Sequence, residues 1–119
     1  SFLHEKKMLI HEFKSFFNKN INKKYAVWGA GHQSLTTISL ADISEKIEFI
    51  IDSSKQKQNK VSPGSRLPIV GPNVLQGSDI QGVIVICGSF SNEVVRLIKT
   101  KYKLNIDIYI FEDNKILKV

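Results

Sequence analysis

The chain has 119 residues, room for one compact domain and too few for two. Apolar residues at 42% and charged residues at 24% are ordinary globular usage, which excludes disordered, collagen-like and low-complexity chains. Lys and Arg number 17 against 11 acids, a net charge of +6, and no apolar run approaches the ~20 residues that cross a bilayer.

From His4 to about Asn18, Leu9, Phe13, Phe16 and Phe17 recur at helical spacing with Lys and Glu between them, which predicts one amphipathic helix. Asn18, Asn20 and Asn22 break the pattern. Residues 1–22 therefore read as a helix and linker, packed across the body of the domain or against whatever precedes it. Residues 23–119 read as the domain proper. The start at Ser1, with no charged-then-apolar leader, argues against a signal peptide and suits a piece of a longer protein.

Tyr25 to Trp28 predicts a short buried strand, followed by Gly29-Ala30-Gly31 and a helix from His32 to about Asp42. Ile47 to Asp52 predicts a second strand, and residues 53–66, polar, basic and containing Pro63-Gly64, a loop. Leu67 to Val70 reads as a brief strand that Pro68 restricts to an edge or a strand start. Pro72 suits the first position of a short helical turn to Gln76. Val83 to Cys87 is an unbroken apolar run, the mark of a strand covered on both faces. Ser91 then reads as the N-cap of a helix to about Tyr102, with Glu93 in its first turn. Ile106 to Phe111 is the last clear strand, and Ile116 to Val119 adds an edge. This order predicts a three-layer, Rossmann-like α/β domain with a mainly parallel sheet behind an amphipathic N-terminal helix.

Gly29-Ala30-Gly31 leaves a strand and opens a helix, with Ser34 at the third small position and Asp52 ending the next strand, 21 residues after Gly31. That is the layout of a nucleotide-binding turn: one glycine for the bend, one for close backbone approach to phosphate, an acid for ribose hydroxyls. The same residues also suit a plain strand-to-helix turn. His32 and Gln33 open the helix, and His32 reads as a base, a phosphate contact or a polar rim residue. Gly88-Ser89-Phe90 ends the central strand on the same sheet edge, where small residues leave room for a ligand.

Lys55, Lys57, Lys60 and Arg66 fall in a segment with no acid and no aromatic, which disfavours nucleic acid and suits a small anionic ligand such as a diphosphate. A single cysteine, Cys87, forms no internal disulfide and offers no thiolate cluster, so a reducing, cytoplasmic compartment fits. Cys87 itself reads as core. His4 and His11 share a helix face without a third ligand, so no metal is expected. No Ser-His-acid spacing suggests a nucleophile, and no catalytic residue is assigned.

The stretch GAGHQSLTTISLADISEKIEFIIDSSKQKQNKVSPGSRLPIVGP, followed by a strand ending in GSFSNEV, resembles the C-terminal domain of bacterial S-adenosylmethionine-dependent C-methyltransferases, which include nucleotide-sugar C-methyltransferases. The resemblance runs from Tyr25 to the end. It rests on the GAG turn, Asp52, Lys57-Gln58, Pro63-Gly64 and the Leu-Pro-Ile-Val-Gly-Pro that follows. It implies a non-catalytic domain that helps hold the acceptor, an anionic small molecule such as a nucleotide-linked sugar, against the preceding domains of the same chain. S-adenosylmethionine and zinc are implied only for those domains, and this chain alone is expected to transfer no methyl group. Gly29, Gly31, His32, Gln33, Asp52, Lys57, Lys60, Pro63, Gly64, Ser65, Gly88 and Ser89 would line the acceptor crevice. A free-standing nucleotide or NAD-binding module, and a docking or dimerisation domain, are the alternative readings.

Overall fold

The computed structural model describes residues 1–102 and 105–119. Seven strands form one sheet: β1 (Tyr25–Trp28), β2 (Ile47–Ile51), β3 (Lys60–Val61), β4 (Pro68–Val70), β5 (Gly82–Val85), β6 (Asp107–Glu112) and β7 (Lys115–Lys118). Their spatial order is β3-β4-β2-β1-β5-β6-β7. The inner pairs β4-β2, β2-β1, β1-β5 and β5-β6 are parallel, while β3 and β7 are antiparallel edges. Helices α1 (Phe2–Lys19) and α2 (His32–Ala41) cover one face, and α3 (Ser91–Leu97), prolonged by a π-helical turn over Ile98–Tyr102, covers the other.

The layers follow from the two-residue period of the strands. Tyr25 and Val27, Ile84 and Ile86, and Tyr109 and Phe111 face α1 and α2. Ala26 and Trp28, Val83 and Val85, and Ile108 and Ile110 face α3. Both faces of the central strands are covered, as an unbroken apolar run requires. β1 and β5 are buried along their whole length.

The four apolar residues predicted for the first helix (Leu9, Phe13, Phe16 and Phe17) are its buried stripe. The Phe13 ring centroid lies 5.0 Å from that of Phe111, and Phe16 meets Tyr109 edge-on at 4.8 Å. Thus α1 packs across the sheet rather than away from it, although residues 1–8 stand in solvent. Glu12 reaches the far edge, where its carboxylate accepts the Ile116 N–H at 2.6 Å. Among the described residues no helix is long and apolar enough to cross a membrane.

Three local expectations are corrected. The stretch 53–66 is not all loop, because Lys60–Val61 pairs with Pro68–Ile69 as an edge strand. Ser91 is not the N-cap of α3: the cap position falls on Phe90, and the buried Ser91 hydroxyl accepts the Cys87 N–H at 3.1 Å. A Gly88–Phe90 turn of 3₁₀-helix enters α3 directly, so the serine serves the strand exit instead. The strand before it pairs over Gly82–Val85, short of Cys87, because its register with β1 and β6 ends at Val85.

Candidate functional site

The chain leaves the sheet centre at β1, moves outward to β2 and β4, then returns to β5 on the other side of β1. Between β1 and β5 the progression reverses, and in open parallel sheets the crevice beyond the carboxyl ends at such a point receives ligands. A cavity of about 740 Å³ opens there.

One wall is the turn after β1. Gly29 adopts φ +134, and a Cβ there would overlap the Ile86 carbonyl oxygen, so this position admits only glycine. The Gly29 N–H donates to Ile51 at 2.8 Å, closing the turn onto β2. Asp52 completes the closure: one carboxylate oxygen accepts the Ala30 N–H at 2.9 Å and the other the Ser54 N–H at 2.8 Å. Asp52 thus binds the two crevice loops together, a role that the sequence pattern does not assign to it.

Gly31 differs from expectation. Its φ is −78, and no atom lies within 4 Å of where a Cβ would stand. It needs neither positive φ nor close packing within the chain, and its bare backbone borders open cavity.

Behind Gly31, α2 begins without a side-chain cap and without an acid in its first turn. The first N–H groups of a helix have no intrahelical partner, and the helix dipole adds partial positive charge there. His32 and Gln33 extend from this turn, exposed at the rim. The Ser34 hydroxyl, also in the lining, is buried and has no hydrogen-bond partner among the described residues.

Lys57 brings a full positive charge to the lining. It stands on a turn held by the Lys57 N–H to Ser54 carbonyl bond at 3.0 Å. Gln58 braces that turn by donating to the Asp52 carbonyl at 2.9 Å.

The opposite wall is Gly88, Ser89 and Phe90 with Val94 of α3. Cys87 also lines the cavity, half-buried rather than core, and donates its S–H to the Trp28 carbonyl at 3.2 Å. Burial, with the Asp52 charge adding to it, pushes the Cys87 thiol up to about 11. A thiol held protonated is a poor nucleophile at neutral pH. Among the described residues no group of three His, Cys, Asp or Glu is arranged to hold a metal.

Eight of the residues singled out in the sequence therefore meet at one cavity: Gly29, Gly31, His32, Gln33, Asp52, Lys57, Gly88 and Ser89. Lys60, Pro63, Gly64 and Ser65 lie outside its lining. The reason is the direction of β3. Lys60 pairs with Ile69 and Val61 with Pro68, so the chain runs back along β4 away from the carboxyl edge. The turn that follows is tied by the Ser62 and Ser65 hydroxyls and by Ser62 to Leu67 bonds, with Gly64 beside Ser39 on the far half of α2. Cys87, read as core, was missed as a lining residue, and Phe90 was placed at this edge without being counted in the lining; the signal available was the Gly88 strand exit itself, whose neighbours share the crevice.

The family model of the C-methyltransferase C-terminal domain matches residues 5–108. Among solved structures, UDP-D-quinovosamine 4-dehydrogenase from Vibrio fischeri is similar, with a TM-score of 0.65 at 17% identity over 83% of this chain and 94% of that one. At that identity the likeness concerns the Rossmann-like fold. No curated protein matches the chain.

Proposed function

Because the chain belongs to the family of C-methyltransferase C-terminal domains, we propose that its crevice holds the methyl acceptor, a nucleotide-linked sugar, for a methyl-donor domain of the same protein. One observation carries the reading: the uncapped start of α2, the Gly29 turn and Lys57 all line one cavity at the switch point of the sheet. Unpaired N–H groups, a helix dipole and a lysine are what a diphosphate needs. The volume is in the range that takes a ligand of this size.

This chain contributes binding and orientation, with no group of its own for methyl transfer. S-adenosylmethionine fits the crevice poorly. It carries a sulfonium cation and no phosphate, so the start of α2 and Lys57, the positive features of the lining, give it no partner. Zinc fits no better, since no three His, Cys, Asp or Glu side chains among the described residues are arranged to hold it. Both groups belong, in this proposal, to the rest of the enzyme, which works in the cytoplasm.

Thermal unfolding of this chain with a UDP-sugar, NAD or S-adenosylmethionine tests the reading. A ligand at 100 times its dissociation constant adds about 2.7 kcal/mol of stability. The UDP-sugar should stabilise the chain and S-adenosylmethionine should not. A larger effect of NAD would favour a dinucleotide-binding module, and a response to S-adenosylmethionine alone would overturn the proposal.

A further inference from the structure

Phe90 is 66% exposed, on a turn otherwise built of small residues. The other exposed large apolar side chains among the described residues, such as Phe2, Leu3, Ile21 and Leu117, lie away from the crevice, and Phe90 alone of them lines it. Its backbone is held on both sides. The Phe90 N–H donates to the Cys87 carbonyl at 3.0 Å, and Ser91, 4% exposed, anchors the strand exit through the Cys87 N–H. The ring is thus presented to solvent on a pinned support, so a partner that covers it pays little ordering entropy.

The two walls of the cavity differ in kind. The wall at α2 and Lys57 is polar and positive; the wall beyond β5 carries the apolar side chains of Phe90 and Val94 beside Gly88 and Ser89. β1 and β5, which feed them, are neighbours in the sheet, so one ligand reaches both. A ligand matched to that division carries anionic charge at one end and a flat apolar ring at the other. A nucleoside diphosphate is such a ligand, since every base offers a π-face to an aromatic side chain.

We propose that Phe90 is the platform on which the base of the nucleoside diphosphate stacks, with the diphosphate directed to the start of α2 and Lys57. The assignment rests on the acceptor reading above and adds to it the end of the crevice that each part of the ligand occupies. It also makes Phe90 a specificity residue: it distinguishes a nucleotide from a bare phosphate ester.

Calorimetric titration of this chain at low salt with UDP and, separately, with inorganic pyrophosphate tests it. Phe90→Ala should weaken UDP about thirtyfold, the middle of the range for base stacking, and leave pyrophosphate unchanged. Phe90→Tyr should restore UDP binding, and the uracil H5 and H6 resonances should move upfield on binding to the parent chain but not to Phe90→Ala. An exposed side chain costs little fold stability, and equal melting temperatures of the variants check this. Unchanged UDP affinity in Phe90→Ala overturns the platform. An equal loss for pyrophosphate also overturns it, because the ring would then only shape the turn. If pyrophosphate binds and UDP gains nothing over it, the platform fails while the anion site stands. If neither ligand binds, the acceptor reading fails with it.

Discussion

Gly29 and Gly31 flank one alanine, yet the chain constrains them in opposite ways. Gly29→Ala forces a side chain into positive φ and onto the Ile86 carbonyl, and should cost about 3 kcal/mol or more in urea unfolding. Gly31→Ala should be neutral or slightly stabilising, by up to about 1 kcal/mol, since its φ of −78 suits any residue and nothing crowds it. If ligand phosphate approaches that backbone, Gly31→Val should keep the fold and lose affinity. A nucleotide-binding turn in the sequence assigns these two roles to the pair as a whole. Which glycine is strained depends on where the Ile86 carbonyl lies, just past the end of β5, a distance in space that spacing along the chain does not carry. Cys87 offers a pH test at the same scale. Its thiol titrates at about 11 against an ordinary 9.0, so the folded state holds the proton more tightly than the unfolded one. The sign is then fixed: this contribution is complete below pH 9.0 and is lost as pH rises towards about 11. Alkylation by iodoacetamide should be slow at pH 8 in the folded chain and fast in urea. Equal rates in both would mean that the thiol is not shielded.

At the scale of elements, α1 is a structural layer. Phe13 is fully buried against Phe111 and Phe17, so Phe13→Ala should cost about 3–5 kcal/mol by chemical denaturation. A change below 1 kcal/mol would detach α1 from the fold. This helix was legible because four apolar residues at helical spacing leave one way to bury them. β1 was legible to the residue, since Tyr25 to Trp28 is apolar throughout and ends at glycine. β3 was not. Lys60 and Val61 are both exposed, two residues long, and defined by pairing to β4 alone, so no hydrophobic pattern announces them. That short strand decides the site. It turns Pro63, Gly64 and Ser65 away from the crevice and leaves Lys57, before the reversal, at its rim. The π-helical turn after α3 was equally silent, because Ile98 and Tyr102 are buried there at a spacing that an α-helix also tolerates.

For the whole molecule, the seven-stranded sheet exposes one carboxyl edge at which the chain reverses direction, and charge is distributed unevenly about it. Six lysines fall in the first 24 residues, but α1 spends its apolar stripe on the core, and exposed charges there are screened beyond about 8–10 Å at ordinary salt. Lys57→Ala should therefore weaken UDP-sugar binding about five- to tenfold at low salt, the worth of one charge-assisted contact reduced by solvent screening at an exposed lysine. Lys60→Ala, and Lys6→Ala with Lys7→Ala, should change it less than twofold in the same calorimetric titration. A larger loss from the helix pair would place the anion elsewhere. Most direct of all is the amide ¹H–¹⁵N spectrum of this chain titrated with a UDP-sugar. The largest shifts should fall on residues 29–34, on Lys57 and on residues 88–90, with the 62–66 turn and the exposed start of α1 unmoved. Shifts centred on α1 or on β7, with the Gly29 and Gly88 amides silent, would contradict the crevice as the acceptor site.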